Sequence, residues 1–292
     1  MIDLHTHTDR SDGSTDPGDL VRMAVRHGIE ALGISDHDTL AGYDAAMPAA
    51  AACGLELICA VELSTRPQAQ ALPGKREPSA HLLGYWLLSA PSAEFRGWLE
   101  SQQESRRQRN VELVARLRQL GVEVALQEAE IYGRNQVGRP HFARVLCDKG
   151  YVSNIQEAFD VYLADDAKAA VDRDEPTLEE GIRRIVESGG MASLAHPVRL
   201  PQRGPDLAKL LEHLIDVGLQ GIEVFHSEHT PAGTAAYAEL ARSFGLIPTG
   251  GTDFHGENKP RIRLGTGIDS NIHLNYSFLD DMRDMCTARH NQ

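Results

Sequence analysis

The first dozen residues of this 292-residue chain hold the side chains best suited to chemistry. His5 and His7 lie two positions apart at the end of a short apolar run, and strand side chains at positions i and i+2 share a face. Both imidazoles can therefore reach one metal ion, and the carboxylate of Asp12 follows within one loop. Similar residues follow other apolar segments: Asp36, His37 and Asp38; Glu62; His81; His196; and Asp253 with His255.

Ligand-type residues at corresponding ends of several strands predict one metal centre on the rim of a barrel. A single histidine on an apolar strand is more often an ordinary core or surface residue. That explanation fails for six histidines and three carboxylates taken together. Histidine, aspartate and glutamate without cysteine suit zinc, manganese or iron(II), and the sequence does not choose between these metals.

Composition narrows the class of protein. The formal net charge of −13 argues against a surface that binds polyanions, so metal ions would have to attract an anionic substrate. The four cysteines lack Cys-x-x-Cys spacing, which predicts free thiols in a reducing compartment. Neither a secretory signal nor an apolar run of the roughly 20 residues that span a bilayer is visible. We therefore expect a soluble cytoplasmic protein with no membrane contact and no obligatory protein partner.

The pattern of apolar residues predicts alternating strands and helices. Strands are predicted over residues 2–7, 31–35, 55–64, 81–88, 191–195, 221–225 and 247–250, and helices over 16–27, 39–52, 177–188, 206–217 and 231–244. Repeated βα units imply parallel strands with right-handed crossovers. Because nearly every strand contributes to the site, we expect an α/β fold of the distorted (β/α)7 barrel type rather than an open doubly wound sheet.

The alternation stops between the fourth and fifth strands. A long charged helix over residues 94–120 and shorter helices over 126–132, 139–150 and 154–163 predict an all-helical insert. We expect residues 1–90 and 173–292 to form the metal-binding barrel and residues 91–172 to form the insert, which contributes to substrate binding. The arginines of the long helix are expected on its solvated face: Arg106, Arg107, Arg109, Arg116 and Arg118.

Six motifs resemble the polymerase and histidinol phosphatase (PHP) family of metal-dependent phosphoesterases. They are Asp3-Leu4-His5-Thr6-His7-Thr8, Ile34-Ser35-Asp36-His37-Asp38, Val61-Glu62-Leu63-Ser64, His81-Leu82-Leu83-Gly84-Tyr85, His196-Pro197 and Gly251-Thr252-Asp253-Phe254-His255. The resemblance implies three divalent metal ions: the first bound by His5, His7, Glu62 and Asp253, the second by Asp12, His37 and His255, and the third by Glu62, His81 and His196. Many family members have histidine where Asp12 stands, which favours manganese, with zinc and iron as alternatives.

The segment Gly138-Arg139-Pro140-His141-Phe142-Ala143-Arg144 resembles a PHP subgroup that acts on nucleoside 3′,5′-bisphosphates and on the 5′ ends of short RNAs. The resemblance implies hydrolysis of the 3′-phosphate to give a nucleoside 5′-monophosphate, or removal of 5′ nucleotides from short single-stranded RNA. Both substrates present two phosphates at one spacing, which an insert acting as a lid would recognise. Candidate substrate contacts are Arg134, Asn135, Arg139 and Arg199 for phosphate, His226 and His229 for the base, and His141, which either binds phosphate or caps its helix.

The implied mechanism is in-line attack on phosphorus by a hydroxide that bridges the first two metals. That hydroxide would be held by the ligands His5, His7, Asp12, His37, Glu62, Asp253 and His255. Asp36 and Asp38 either orient His37 or shape its turn. The alternatives are a histidinol-phosphate-type phosphomonoesterase, a metal-dependent amidohydrolase or deaminase, and an inactive PHP module. The third metal argues against an amidohydrolase, and the complete ligand set argues against an inactive module.

Overall fold

Seven strands form one sheet in which each strand pairs with the next along the chain. The computed structural model describes residues 1–66, 79–133, 137–164, 166–171 and 175–290. The strands are β1 (Ile2–Thr6), β2 (Ala31–Ile34), β3 (Glu56–Thr65), β4 (Ala80–Trp86), β5 (Met191–Leu194), β6 (Gly221–His226) and β7 (Ile247–Gly251). A doubly wound sheet would not keep its strands in chain order, and the expected barrel fold is confirmed.

The sheet nearly closes between its first and last strands. Asp253 N donates to His5 O at 2.8 Å, and His7 N donates to Phe254 O at 2.8 Å. Gly251 permits this approach, because a Cβ atom at position 251 would lie 2.2 Å from the backbone nitrogen of His5. Closure therefore brings the residues that follow β7 against the histidines of β1.

One strand differs from the expected parallel arrangement. The pairs β1–β2, β2–β3, β5–β6 and β6–β7 are parallel, whereas β4 is antiparallel to both β3 and β5. The expectation of parallel strands throughout is wrong here because β3 and β4 pair as a hairpin, with Cys59 opposite Trp86 and Thr65 opposite Ala80. As a result His81 lies near the beginning of its strand, not at its end, and still reaches the rim formed by the carboxyl end of β3.

Helices cover the outside of the barrel. They are α1 (Pro17–Arg26), α2 (Ala41–Cys53), α7 (Leu178–Glu187), α8 (Gly204–Val217), α9 (Pro231–Phe244) and α10 (Tyr276–His290). The first of these begins where the sequence indicates: Asp16 accepts a hydrogen bond from Gly18 N at 2.9 Å, and Pro17 occupies the first helical position. The last was not predicted, although Leu279 and Met282 belong to the core beside β1.

The remaining helices lie between β4 and β5. They are α3 (Ala93–Gln119), α4 (Leu126–Gly133), α5 (Arg139–Asp148) and α6 (Ile155–Ala158), and Phe159–Leu163 forms a π-helical turn where the sequence indicated one continuous helix. Helix α3 connects two apolar clusters, since Phe95 and Trp98 pack with barrel residues and Leu113 and Leu117 pack with residues of the other insert helices. The limits of the barrel and insert domains stay a prediction.

No helix in the described ranges is both long enough and apolar enough to cross a membrane. The cytoplasmic location stays a prediction.

Candidate metal centre

Nine predicted ligands converge at one rim of the barrel. His5 lies on β1 and Glu62 on β3, His81 lies on β4, and the others follow strands β1, β2, β5 and β7. The sequence scatters these residues over some 250 positions, and the nearly closed sheet brings them together. Most are fully buried, while Asp12, His37 and His81 retain partial exposure toward the rim. The strand ends therefore bring a compact set of nitrogen and oxygen donors together at the rim.

The first predicted ligand set is assembled as the resemblance implied. One ligand atom from each of His5, His7, Glu62 and Asp253 lies within 4.8 Å of the others. The Nε2 atoms of His5 and His7 lie 3.3 Å and 3.0 Å from Glu62 Oε2, and 3.5 Å and 3.4 Å from Asp253 Oδ1. All four side chains are buried, so these donors face one another away from bulk water.

The second set is also assembled, with one addition. Atoms of Asp12, His37 and His255 lie within 4.8 Å of one another together with an atom of His7. The Nε2 atoms of His255 and His37 approach the Asp12 carboxylate at 3.1 Å and 3.5 Å. His7 Nδ1 lies 3.5 Å from the same carboxylate, so the His7 ring stands between the first and second sets.

The third set centres on the other oxygen of Glu62. Its Oε1 atom lies 2.7 Å from both His81 Nδ1 and His196 Nε2, whereas its Oε2 atom faces His5 and His7. One carboxylate thus separates two pairs of imidazoles. This is the arrangement that a carboxylate needs in order to bridge two cations.

The histidines determine the charge of the carboxylates. Burial alone would raise the pKa of Glu62, but the imidazoles of His37 and His81 lower that pKa well below its ordinary value. The same opposition governs Asp12, where burial is outweighed by His255 and His37 and the pKa also falls well below normal. These carboxylates are therefore ionised at neutral pH and available as ligands.

Two buried nitrogens support metal binding independently of these distances. Within the described residues, His7 Nε2 and His37 Nδ1 are buried without a hydrogen-bond partner of good geometry. A buried polar atom without a partner is costly, and a bound cation would satisfy both imidazole nitrogens. Because the donor set contains imidazole and carboxylate and no thiolate, it fits zinc, manganese or iron(II).

Glu223 is a central residue that the sequence analysis missed. It lies fully buried on β6, accepts a hydrogen bond from His5 Nδ1 at 2.8 Å, and accepts another from the backbone nitrogen of His196 at 2.6 Å. The φ angle of His196 is 22°, a strained value for a residue with a side chain. Glu223 therefore orients one predicted ligand and stabilises the strained turn that carries another. A carboxylate inside the apolar strand Gly-Ile-Glu-Val-Phe was the available signal.

Asp36 and Asp38 stabilise the loops around the site. Asp36 accepts hydrogen bonds from the backbone and hydroxyl of Thr8, at 2.8 Å and 2.7 Å, and from the Ser11 hydroxyl at 2.6 Å. Asp38 accepts from Ser64 N at 2.8 Å and forms an ion pair with Arg106 of the insert. These contacts support the turn-shaping role of both carboxylates.

The predicted solvated face of α3 is wrong at two positions. Arg106 is 13 % exposed and also donates to Ser64 Oγ at 2.9 Å, while Arg109 is buried. The periodicity of the helix could not indicate this for Arg106, because its partners Asp38 and Ser64 are distant in sequence. Arg106 thus connects the insert to the barrel rim beside His37.

Two cations lie beside Asp253. Arg199, a predicted phosphate contact, approaches the Asp253 carboxylate at 2.7 Å and also pairs with Glu228. Lys259, which was not predicted, approaches the same carboxylate oxygen at 2.8 Å. Both side chains are about one-third exposed, so they can reach an anion at the rim.

The predicted base contacts are less accessible. His226 is fully buried, with its Nε2 atom 3.4 Å from Asp253, and its ring lies among those of His5, His196 and His229. His229 is buried against Tyr237 and its Nδ1 atom donates to Val224 O at 2.9 Å. This packing disfavours base stacking on either ring.

His141 performs the capping role, one of the two roles between which the sequence could not choose. Its Nδ1 atom accepts a hydrogen bond from Gly138 N at 2.9 Å and so caps α5. In the neutral ring the proton then lies on Nε2, which is buried and has no partner among the described residues. Burial lowers the pKa of His141 and keeps the ring neutral. The cap therefore leaves an N–H group available for a ligand.

A cleft of about 550 Å³ separates the rim from the insert. Asp12 and His255 line it on the barrel side, and His141, Tyr132 and Arg144 line it on the insert side. Arg139 instead donates to Leu163 O at 3.3 Å. The predicted contacts Arg134 and Asn135 lie outside the described residues. The cleft joins the second ligand set to the insert helices and has the size of a small-molecule site.

Barrel, donor set and cleft define a metal-dependent hydrolase. The PHP domain family matches residues 3–146. The chain is 33% identical over 253 residues to a 5′-3′ exoribonuclease of Haemophilus influenzae, covering 87% of this chain and 89% of that protein. It therefore belongs to the PHP family of metal-dependent phosphoesterases, and it is a hydrolase of phosphoric esters.

Other relatives differ in the activities for which they are named. A phosphoribosyl 1,2-cyclic phosphate 1,2-diphosphodiesterase of Eggerthella lenta is 32% identical, with 87% of this chain and 94% of that protein covered. A 3′,5′-nucleoside bisphosphate phosphatase of Chromobacterium violaceum is 31% identical, with 87% of each covered. A metal-dependent phosphoesterase structure from Bifidobacterium adolescentis superposes with a TM-score of 0.80 at 27% identity, covering 97% of this chain and 95% of that one.

Proposed function

We propose that the protein removes the 3′-phosphate of nucleoside 3′,5′-bisphosphates and yields nucleoside 5′-monophosphates. The observation that carries this proposal is the position of Glu62 between two pairs of imidazoles. The neighbouring second ligand set, through Asp12 and His255, lines a cleft large enough for a nucleotide. The relative named as a 3′,5′-nucleoside bisphosphate phosphatase supports the choice of substrate.

Three divalent cations, with manganese as the first candidate, would occupy the three ligand sets. The first would be held by His5, His7, Glu62 and Asp253, the second by Asp12, His37 and His255, and the third by Glu62, His81 and His196. Bound divalent cations act as Lewis acids and lower the pKa of coordinated water toward neutrality. Three such cations carry more charge than the three carboxylates neutralise, which favours a dianionic phosphate in the cleft.

The remaining polar residues would bind and orient the substrate. Arg199 and Lys259 flank the rim beside Asp253 and would stabilise charge on the phosphate that is cleaved. The Nε2–H group of His141 would donate to an oxygen of the nucleotide from the opposite side of the cleft. Neutral imidazole suits this task because it donates without adding charge.

Short RNA 5′ ends are a second candidate substrate. The exoribonuclease relatives favour them, and the first internucleotide phosphate of RNA corresponds to the 3′-phosphate of the bisphosphate. The same residues would act on both substrates, so the two activities need a direct comparison.

A substrate panel with manganese-loaded protein tests the proposal. We expect release of phosphate from adenosine 3′,5′-bisphosphate to exceed that from adenosine 3′-monophosphate, histidinol phosphate and a phosphoribosyl 1,2-cyclic phosphate. Asp253→Ala should abolish release and lower the metal content. Glu179→Gln is a matched control, because Glu179 pairs with a histidine, His213, away from the rim. A preference for histidinol phosphate or the cyclic phosphate would contradict the proposal.

A further inference from the structure

Part of the cleft wall opposite the metal ligands is apolar. Ile131 and Tyr132 at the end of α4 and Ile155 at the start of α6 face a cleft whose other side contains Asp12 and His255. Their exposed fractions are 76 %, 38 % and 42 %. Among the described residues nine large apolar side chains are exposed, and three of them line this cleft. Single exposed apolar residues are common, whereas a cluster beside a polar site indicates a binding surface.

The aromatic ring in this wall is held in a fixed orientation. The guanidinium carbon of Arg144 lies 5.6 Å from the centroid of the Tyr132 ring, and the Tyr132 hydroxyl donates to Asp148. The Asp148 carboxylate also lies 3.9 Å from Arg144 Nε. A ring positioned by two partners loses little conformational freedom when a flat ligand packs against it.

We propose that the apolar wall formed by Ile131, Tyr132 and Ile155 binds the nucleobase of the substrate by stacking and apolar contact. The inference rests on the proposed function, which brings the 3′-phosphate to the metal ligands across the cleft. The nucleobase is the large planar apolar part of a nucleotide. The wall supplies the matching surface, whereas the rings of His226 and His229 are buried.

Recognition of this kind would be insensitive to base identity. Every base has a π face of similar size, whereas discrimination between bases requires hydrogen bonds to their edges. The side chains of this wall offer the base a surface of carbon atoms, and the Tyr132 hydroxyl is already bonded to Asp148. We therefore expect the enzyme to select nucleotides over sugar phosphates while it accepts purines and pyrimidines alike.

Comparison of substrates with and without a base tests this inference. The pair is adenosine 3′,5′-bisphosphate and methyl ribofuranoside 3,5-bisphosphate, in which a methoxy group replaces adenine. Tyr132→Ala should lower kcat/KM for the nucleotide by roughly tenfold or more and leave kcat/KM for the base-free substrate unchanged. Ile131→Ser should act in the same direction, and its high exposure makes this variant safe for folding.

Two control variants separate stacking from indirect effects. Tyr132→Phe keeps the ring and should retain the preference for the nucleotide. Met47→Ser changes a residue of similar exposure on α2, outside the cleft, and should leave both substrates unaffected. Equal losses for the two substrates in Tyr132→Ala and Ile131→Ser, or no loss in either, would overturn the base-binding role. Failure of the unaltered enzyme to hydrolyse either bisphosphate would instead refute the proposed function, and this inference with it.

Discussion

Replacing Glu223 by glutamine should weaken metal binding while the barrel stays folded. The carboxylate accepts two hydrogen bonds, from His5 Nδ1 and from His196 N, and it is fully buried. Glutamine has nearly the same shape but only one oxygen, so one of the two N–H groups would face an NH2 group. The affected ligand would then lose its preferred orientation.

The size of the effect follows from these contacts. A hydrogen bond to a buried charged group contributes about 1.5–3 kcal/mol. Loss of a carboxylate that orients a metal-bound histidine typically reduces metal affinity about 10- to 100-fold, which corresponds to about 1.4–2.7 kcal/mol. The two estimates agree, so we expect Glu223→Gln to weaken binding within this range.

Metal content after dialysis against graded chelator, measured by mass spectrometry, provides the assay. Glu223→Gln should release its metal at a chelator concentration roughly 10- to 100-fold lower than the concentration that the unaltered protein requires. Glu179→Gln, which makes the same substitution at a carboxylate that pairs with His213 away from the rim, should retain its metal. Thermal unfolding of the metal-free Glu223→Gln and Glu179→Gln proteins shows whether each variant is folded. Unchanged metal retention in a folded Glu223→Gln protein would refute the orienting role.

Three further predictions concern closure, thiol reactivity and phosphate binding. Gly251→Ala should destabilise the protein by about 3 kcal/mol or more in denaturant unfolding, because the new Cβ atom would collide with His5 N. Gly97→Ala is the control and should not destabilise the protein, because the space around a Cβ atom at position 97 is open. Equal effects of the two substitutions would contradict the closure argument. Burial raises the pKa of Cys59 to about 12, so iodoacetamide at pH 8 should label the exposed Cys53 first, and rapid labelling of Cys59 would refute this. The free energy of unfolding should also fall as pH rises from about 9 toward 12, because only the thiol of the unfolded chain ionises in that range. Lys259→Ala should raise KM for the bisphosphate about tenfold with metal content unchanged, and an unchanged KM would exclude phosphate contact.

The predictable part of the site came from residue types that are rare at the ends of apolar strands. Closely spaced ligand-type residues, such as His5 with His7 and Asp253 with His255, are recognisable in the sequence, because few structural roles favour imidazoles or carboxylates at the ends of apolar strands. The family resemblance added the order of the ligands. Glu223 was not predicted, because a single carboxylate within a strand has no partner in the nearby sequence. Its two hydrogen-bond donors lie on β1 and after β5.

Residues that act across large separations in sequence were the hardest to predict. Lys259 follows a short 3₁₀ turn, and Arg106 lies on a helix whose charge pattern is typical of a solvated surface. Only the folded chain shows that each one meets a carboxylate of the rim. Helix α10 was not predicted for a different reason. Leu279, Met282 and Cys286 recur at helical spacing, but acidic residues between them weaken the apolar pattern.

The direction of β4 explains why His81 still lies at the rim although the direction of its strand was predicted wrongly. Ligand positions were inferred from the ends of parallel strands, and His81 stands near the start of an antiparallel strand. Reversing a strand exchanges its ends, so a ligand near the start of β4 reaches the same rim as ligands at the ends of β3 and β5. Register decides the outcome: His81 pairs with Ser64, two positions beyond Glu62, and a shift of one residue would turn its side chain to the other face of the sheet. The contact between His81 Nδ1 and Glu62 Oε1 therefore depends on both the antiparallel direction of β4 and the hairpin register.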